Sequence, residues 1–161
     1  MQNAGMSTTF LDTREANRRD LPALIELYQH LAEGDEQPSL DLAEEVFERF
    51  KAYEGSAIIV GQTAGVLAAS CTLIVVPNLT RGGRPYGLIE NVVTHSDFRN
   101  RGFGKQVLLQ AVDLAWKADC YKAMLMTGSK KRETLDFYLG AGFEQSKTGF
   151  QMRRVAARHD D

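Results

Sequence analysis

The chain has 161 residues, 43% of them hydrophobic and 25% charged, with a formal net charge of −2. That length suits one domain with a sizeable core, and the composition is that of a globular protein, not a disordered or fibrous one. The near-neutral charge gives no bulk pull toward nucleic acid or an anionic membrane, and no apolar run approaches the ~20 residues that span a bilayer.

Met1 to Phe10 lacks the apolar core of a secretory signal, so residues 1–7 are expected to be a disordered leader. Residues 8–161 are then one domain, expected in the cytoplasm. Thr8 to Arg14 reads as a first strand. Asp20 offers an N-cap to a helix with Leu21, Leu24, Ile25, Tyr28 and Leu31 on its apolar face, ended by Gly34. Asp41 and Glu44 have capping-box spacing, and Ala43, Val46, Phe47 and Phe50 repeat behind them at helical spacing, predicting a second helix. Ser56 to Val60 and Val66 to Val76 are β-branched and apolar, and Gly61 to Gly65 between them predicts a hairpin. Pro77 to Pro85 is a loop and Tyr86 to Thr94 another strand. Phe103 to Lys117 carries Val107, Leu108, Ala111, Leu114 and Ala115 on one side of an amphipathic helix. Lys122 to Thr127 predicts a buried strand, Glu133 to Leu139 a short helix and Phe143 to Arg153 a final strand. Early hairpins followed by a strand-helix-strand crossover predict an α/β (α+β) fold: a mixed, mostly antiparallel sheet of six to seven strands with helices on both faces.

Cys71 and Cys120 are far apart in apolar contexts and read as buried free thiols. His30, His95 and His159 show no ligand spacing, so no metal is expected.

The stretch Arg99-Asn100-Arg101-Gly102-Phe103-Gly104 lies between a strand and an amphipathic helix. A helix start leaves N–H groups unpaired at the positive end of the macrodipole, and so it suits a phosphate anion. Gly102 and Gly104 let the backbone approach the oxygens, and Arg99 and Arg101 add charge. Glu90 stands in a strand otherwise made of Leu88, Ile89, Val92 and Val93. An unpaired buried carboxylate is costly there, which marks it as a site candidate. It can accept a proton or hold an ammonium, with a structural ion pair as the alternative. Asn91, next along, is expected on the other side of the strand.

The element order, Leu88-Ile89-Glu90-Asn91-Val92-Val93, the Arg99 to Gly104 stretch and Phe137-Tyr138-Leu139-Gly140-Ala141-Gly142-Phe143 together resemble the GNAT superfamily of acetyltransferases. The resemblance implies acetyl-CoA as cosubstrate and the primary amine of a small molecule as acceptor. It also implies coenzyme binding by Arg99, Asn100, Arg101, Gly102, Phe103, Gly104 and Lys105 around the pyrophosphate. Val92, Val93 and Thr94 then lie along the pantetheine arm, with an N–H near Val92 at the thioester carbonyl. Tyr138 matches the family's general acid, and Glu90 is the base or amine anchor. Phe137 packs beside the coenzyme. Thr134 stands where many members carry Asn, and the basic loop around Ser129 and Lys130 borders the coenzyme entrance. Gly87 to Val93 and Cys120 to Lys122 further resemble the glucosamine-phosphate N-acetyltransferases, which implies a homodimer. Peptide or protein acetylation and a non-catalytic acyl-CoA sensor are the other readings.

Overall fold

The computed structural model describes residues 10–157. The expected leader, the start of the predicted first strand and His159 lie outside them. Five strands form one sheet in the order β1-β2-β3-β4-β5. These are β1 (Asp12–Glu15), β2 (Ala57–Thr63), β3 (Val66–Val76), β4 (Tyr86–Thr94) and β5 (Ala123–Leu125). Successive pairs are antiparallel except β4 with β5, which is parallel. The helices are α1 (Leu21–Tyr28), α2 (Leu40–Lys51), α3 (Phe103–Lys117) and α4 (Arg132–Gly140).

The two faces of the sheet are covered by different helices. Cys71, Leu73 and Ile89 pack with Val107, Leu108, Ala111 and Ala115 of α3. On the other face Val60, Leu67 and Val93 pack with Leu24 and Leu27 of α1, and Ala43 and Phe47 of α2 join Leu21 beside them. β3 runs through the middle, and every residue from Leu67 to Leu73 is buried. The β2–β3 turn is two residues, Ala64 and Gly65, with φ of 47° and 78°. Positive φ at both positions matches the twist of a tight hairpin, so β2 continues past Gly61.

Several expectations shift. Among the described residues the first strand runs from Asp12 to Glu15, and β5 is shorter than expected and only half-buried. α1 ends at Tyr28, and Leu31 is 45% exposed in the turn beyond it. Asp20 makes no capping bond to α1; its carboxylate takes the Arg14 guanidinium at 2.7 and 2.8 Å and the Asn17 N–H at 2.8 Å. Ser39, not Asp41, caps α2, accepting from the Leu42 N–H at 3.2 Å, while Glu44 pairs with Arg18. At α2 the Ser39 hydroxyl takes the cap because it reaches the orphan Leu42 N–H.

The largest correction is the final strand. Residues 143–153 form none, which leaves five strands where six to seven were expected. The alternating Phe150 and Met152 that suggest a strand are 91% and 99% exposed, so this chain supplies no surface for them. Both cysteines are free and buried; burial pushes the Cys71 thiol up to about 12, and it donates to the Val107 carbonyl at 3.3 Å.

Candidate active site

The site is built around an interruption in β4. Ser70 pairs with Val93 and Thr72 with Glu90, so Asn91 and Val92 together face the single residue Cys71. Asn91 takes the strain, with φ of 52°, a left-handed conformation that asparagine tolerates better than most side chains. One extra residue reverses the alternation. Ile89 faces α3, but Val93 packs on α1 and Val92 returns to the α3 side. A bulge was not among the expectations. The residues carry no signal for it, because Val92 and Val93 would lie on opposite faces of a regular strand as well.

β4 also separates from β5 here. The parallel pairing covers only Gly87 to Ile89 against Ala123 to Leu125. From Glu90 to Thr94 the edge of β4 on that side has no strand partner, which leaves its peptide groups available to an extended ligand.

α3 begins beside that edge. No side chain caps it; Gly102 holds the cap position at φ 77°, and a Cβ there would meet nothing within 4 Å. The first amides of the helix therefore face an open approach. Gly104 also has a packing role. A Cβ at Gly104 would stand 2.9 Å from Thr94 Oγ1 and 3.4 Å from the Phe137 ring, so its bareness lets the start of α3 lie against β4 and α4. Phe103 is buried and stacks on Phe98 at 6.2 Å.

The polar residues of the loop, Arg99, Asn100, Arg101 and Lys105, are all exposed, with the Arg101 guanidinium 5.2 Å from the Phe98 ring. Arg99 also donates to the Thr94 carbonyl at 3.5 Å and the His30 carbonyl at 3.3 Å. Its neighbours His30 and His95 lie ring to ring at 4.0 Å, and each Nδ1 accepts a backbone N–H, from Ser96 and Asp97 respectively. Burial, then His95 and Arg99, hold His30 below its ordinary pKa. Arg99 thus ties the loop to the end of α1, a link that no sequence motif signalled.

α4 closes the third side. Ser129 Oγ donates to Thr134 Oγ1 at 3.1 Å, which joins the basic loop to the first turn of the helix. The rings of Phe137 and Tyr138 meet edge to face at 5.0 Å, and Tyr138 reaches the core on β3 and α3. Burial pushes the Tyr138 phenol above its ordinary pKa, and Cys71 and Glu90 add to the rise. Such a phenol stays protonated and can donate. The Glu90 carboxylate is half-buried and, among the described residues, makes neither ion pair nor hydrogen bond. The structural ion pair considered for it does not form there. Among the described residues no group of three or more His, Cys, Asp or Glu could hold a metal ion.

A bulged β4 parting from β5, an uncapped helix start at the gap, and a donor and an acceptor beside it define a class of protein able to hold an extended ligand with an anionic head. The profile of the Acetyltransferase (GNAT) family matches residues 21–143. A glucosamine 6-phosphate N-acetyltransferase of Trypanosoma brucei brucei is 32% identical over 133 residues, 83% of this chain and 88% of that protein. Among solved structures, an assigned acetyltransferase from Agrobacterium tumefaciens str. C58 superposes with a TM-score of 0.84 at 45% identity, covering 89% of this chain and 99% of that one. The Arabidopsis thaliana glucosamine-6-phosphate N-acetyltransferase gives 0.79 at 25% identity, over 91% and 98%. The chain belongs to the GNAT family of acetyltransferases.

Proposed function

We propose that this acetyltransferase moves the acetyl group of acetyl-CoA directly onto the primary amine of a small molecule bound beside Glu90. The observation that carries the reading is the stretch of β4 without a strand partner, with the uncapped start of α3 at one end and Glu90 and Tyr138 at the other. The amides around Gly102 to Lys105 hold the pyrophosphate, helped by Arg101 and Lys105 at the surface. The free edge of Val92 to Thr94 pairs with the amide-bearing pantetheine arm. Phe137, Ser129 and Thr134 border it from α4.

Within that frame each side chain has a task. Glu90 takes the proton that the ammonium must lose, directly or through water. The Val92 N–H, in the bulge and outside the β3 ladder, stabilises negative charge developing on the thioester oxygen. Tyr138 gives its proton to the thiolate as the C–S bond breaks and the C–N bond forms. No metal is needed for these steps.

A sugar phosphate as acceptor is a second reading, favoured by one feature. Arg81 and Lys122 converge on the Tyr121 ring at 5.4 and 5.5 Å, and Lys122 also stands 5.4 Å from the Tyr86 ring. These lie near the start of β4, about four residues or ~13 Å from Glu90 along the strand. Two cations there suit an anionic group on an amine acceptor. Arg84 contributes less, since Asp119 lies 3.7 Å from it. The relatives named for glucosamine 6-phosphate agree with this reading. A homodimer, which the resemblance implies, belongs to the same reading. Residues 144–157 are largely exposed and join no strand, and Phe150, Met152 and Val155 are 91%, 99% and 78% exposed, an arrangement that a second copy would cover. Sedimentation at the mass of one chain at micromolar concentration would overturn the dimer.

The test is thiol release from acetyl-CoA over glucosamine 6-phosphate, glucosamine, amino acids, polyamines and aminoglycosides. Amine-dependent release is expected, and Glu90→Gln should lower kcat/KM by roughly 10²-fold or more. Wild-type activity in the Gln variant would remove Glu90 from the mechanism.

A further inference from the structure

One buried hydroxyl on the α1 face of the sheet lacks a hydrogen-bond partner of good geometry. Thr72 is 6% exposed, and its Oγ1 is, among the described residues, the buried side-chain oxygen or nitrogen without a hydrogen-bond partner. Such groups are rare in native proteins and usually mark an absent water or ligand. Its position is informative. Thr72 lies directly opposite Glu90 in the β3–β4 ladder, so the two side chains share a face with Cβ atoms about 5 Å apart. Neither side chain bonds the other. A single nitrogen donating to both, at about 2.9 Å each, would fill the interval.

A third oxygen lies nearby. Tyr28 is the last residue of α1, and its phenol is raised by burial and drawn back by the hydroxyls of Thr72 and Ser70. The phenol is thus beside Thr72, yet it leaves Oγ1 without a bond of good geometry. Ser70 is already committed, donating to the Ile59 carbonyl at 2.8 Å. Thr72 and Tyr28 remain available.

We propose that Thr72 Oγ1 and the Tyr28 hydroxyl, with the Glu90 carboxylate, form the seat for the acceptor's ammonium group. This rests on the reading of Glu90 given above and extends it to the acceptor side. A primary ammonium has three N–H donors for three oxygens. A secondary amine leaves one oxygen without a donor in a desolvated place, so the seat selects primary amines.

Two substitutions test it. Thr72→Val removes the hydroxyl at nearly constant shape, and Thr72→Ser keeps it. With glucosamine 6-phosphate as acceptor, the Val variant should lose roughly 10- to 30-fold in kcat/KM for the amine, and the Ser variant should stay near wild type. Acetyl-CoA affinity should not change, and the melting temperature of the Val variant should hold or rise because an unpaired buried hydroxyl is gone. A purely structural Thr72 predicts the reverse, a lower melting temperature with acceptor kinetics intact, and that result overturns the proposal. A high-resolution crystal structure of the free protein needs no acceptor. A water bridging Thr72 Oγ1 and Glu90 is expected, and Thr72 bonded to a protein group instead would equally overturn it. Failure of the wild type to bind acetyl-CoA would take down the acetyltransferase reading itself; normal coenzyme binding with an indifferent Thr72→Val variant would remove only the seat.

Discussion

Tyr138→Phe is expected to lower kcat by roughly 10²- to 10³-fold while acetyl-CoA affinity stays within a few-fold of wild type. The phenol oxygen is the only atom lost. The ring's contacts with Phe137 and Phe143, at 5.0 and 6.4 Å, persist, so the fold has little reason to change. What disappears is the proton for the departing thiolate. The pH profile carries a second signature. A general acid works only while protonated, and burial holds this phenol above the ordinary value of 10.0. Any alkaline limb due to Tyr138 therefore lies above that pH in the wild type, and the Phe variant should lack it. A variant that turns over as fast as wild type would make Tyr138 a packing residue and would favour an acyl-CoA sensor over an enzyme.

Gly104→Val is the second large effect. The Cβ alone would stand 2.9 Å from Thr94 Oγ1, and the added methyl groups would press on Phe137. Overpacking of this kind costs about 1–3 kcal/mol. The consequence for binding is greater, because relief requires the start of α3 to move away from β4 and its amides to move with it. Hydrogen bonds to charged groups contribute about 1.5–3 kcal/mol each, so misaligning one should weaken acetyl-CoA binding roughly 10- to 100-fold. Gly104→Ala should fall between. Equilibrium binding measured below the variant's melting temperature separates lost affinity from lost fold.

Much of this arrangement was legible in the residues. α3 was readable to its ends because five apolar side chains repeat at helical spacing and Gly102 stands before them. β4 was equally clear as a strand. Its bulge was not, because periodicity reports one face at a time and Val92-Val93 looks like any buried pair. The packing role of Gly104 was hidden for a related reason. Sequence shows that a Cβ is missing, but only the fold shows that Thr94 and Phe137 occupy the space. Arg99 was placed at the phosphate by position, and the two carbonyls that its guanidinium also reaches were not readable there. Thr72 carried no signal, since a threonine in a central strand is ordinary until its hydroxyl proves to be unpaired.

The terminal segment shows the opposite failure. Alternation from Phe143 to Arg153 is a strand pattern, and a pattern states what a segment can pair with only when a partner edge is available. Among the described residues none receives it. The same alternation becomes intelligible if a second copy supplies the surface.

The most direct test of the account is calorimetric titration of acetyl-CoA into the folded protein at two temperatures. Saturable one-to-one binding is predicted, with a dissociation constant on the order of 1 μM to 1 mM, weakened when Gly104 is enlarged. Absence of binding at both temperatures, in protein shown to be folded by circular dichroism, would contradict the claim that the start of α3 and the open edge of β4 hold the coenzyme.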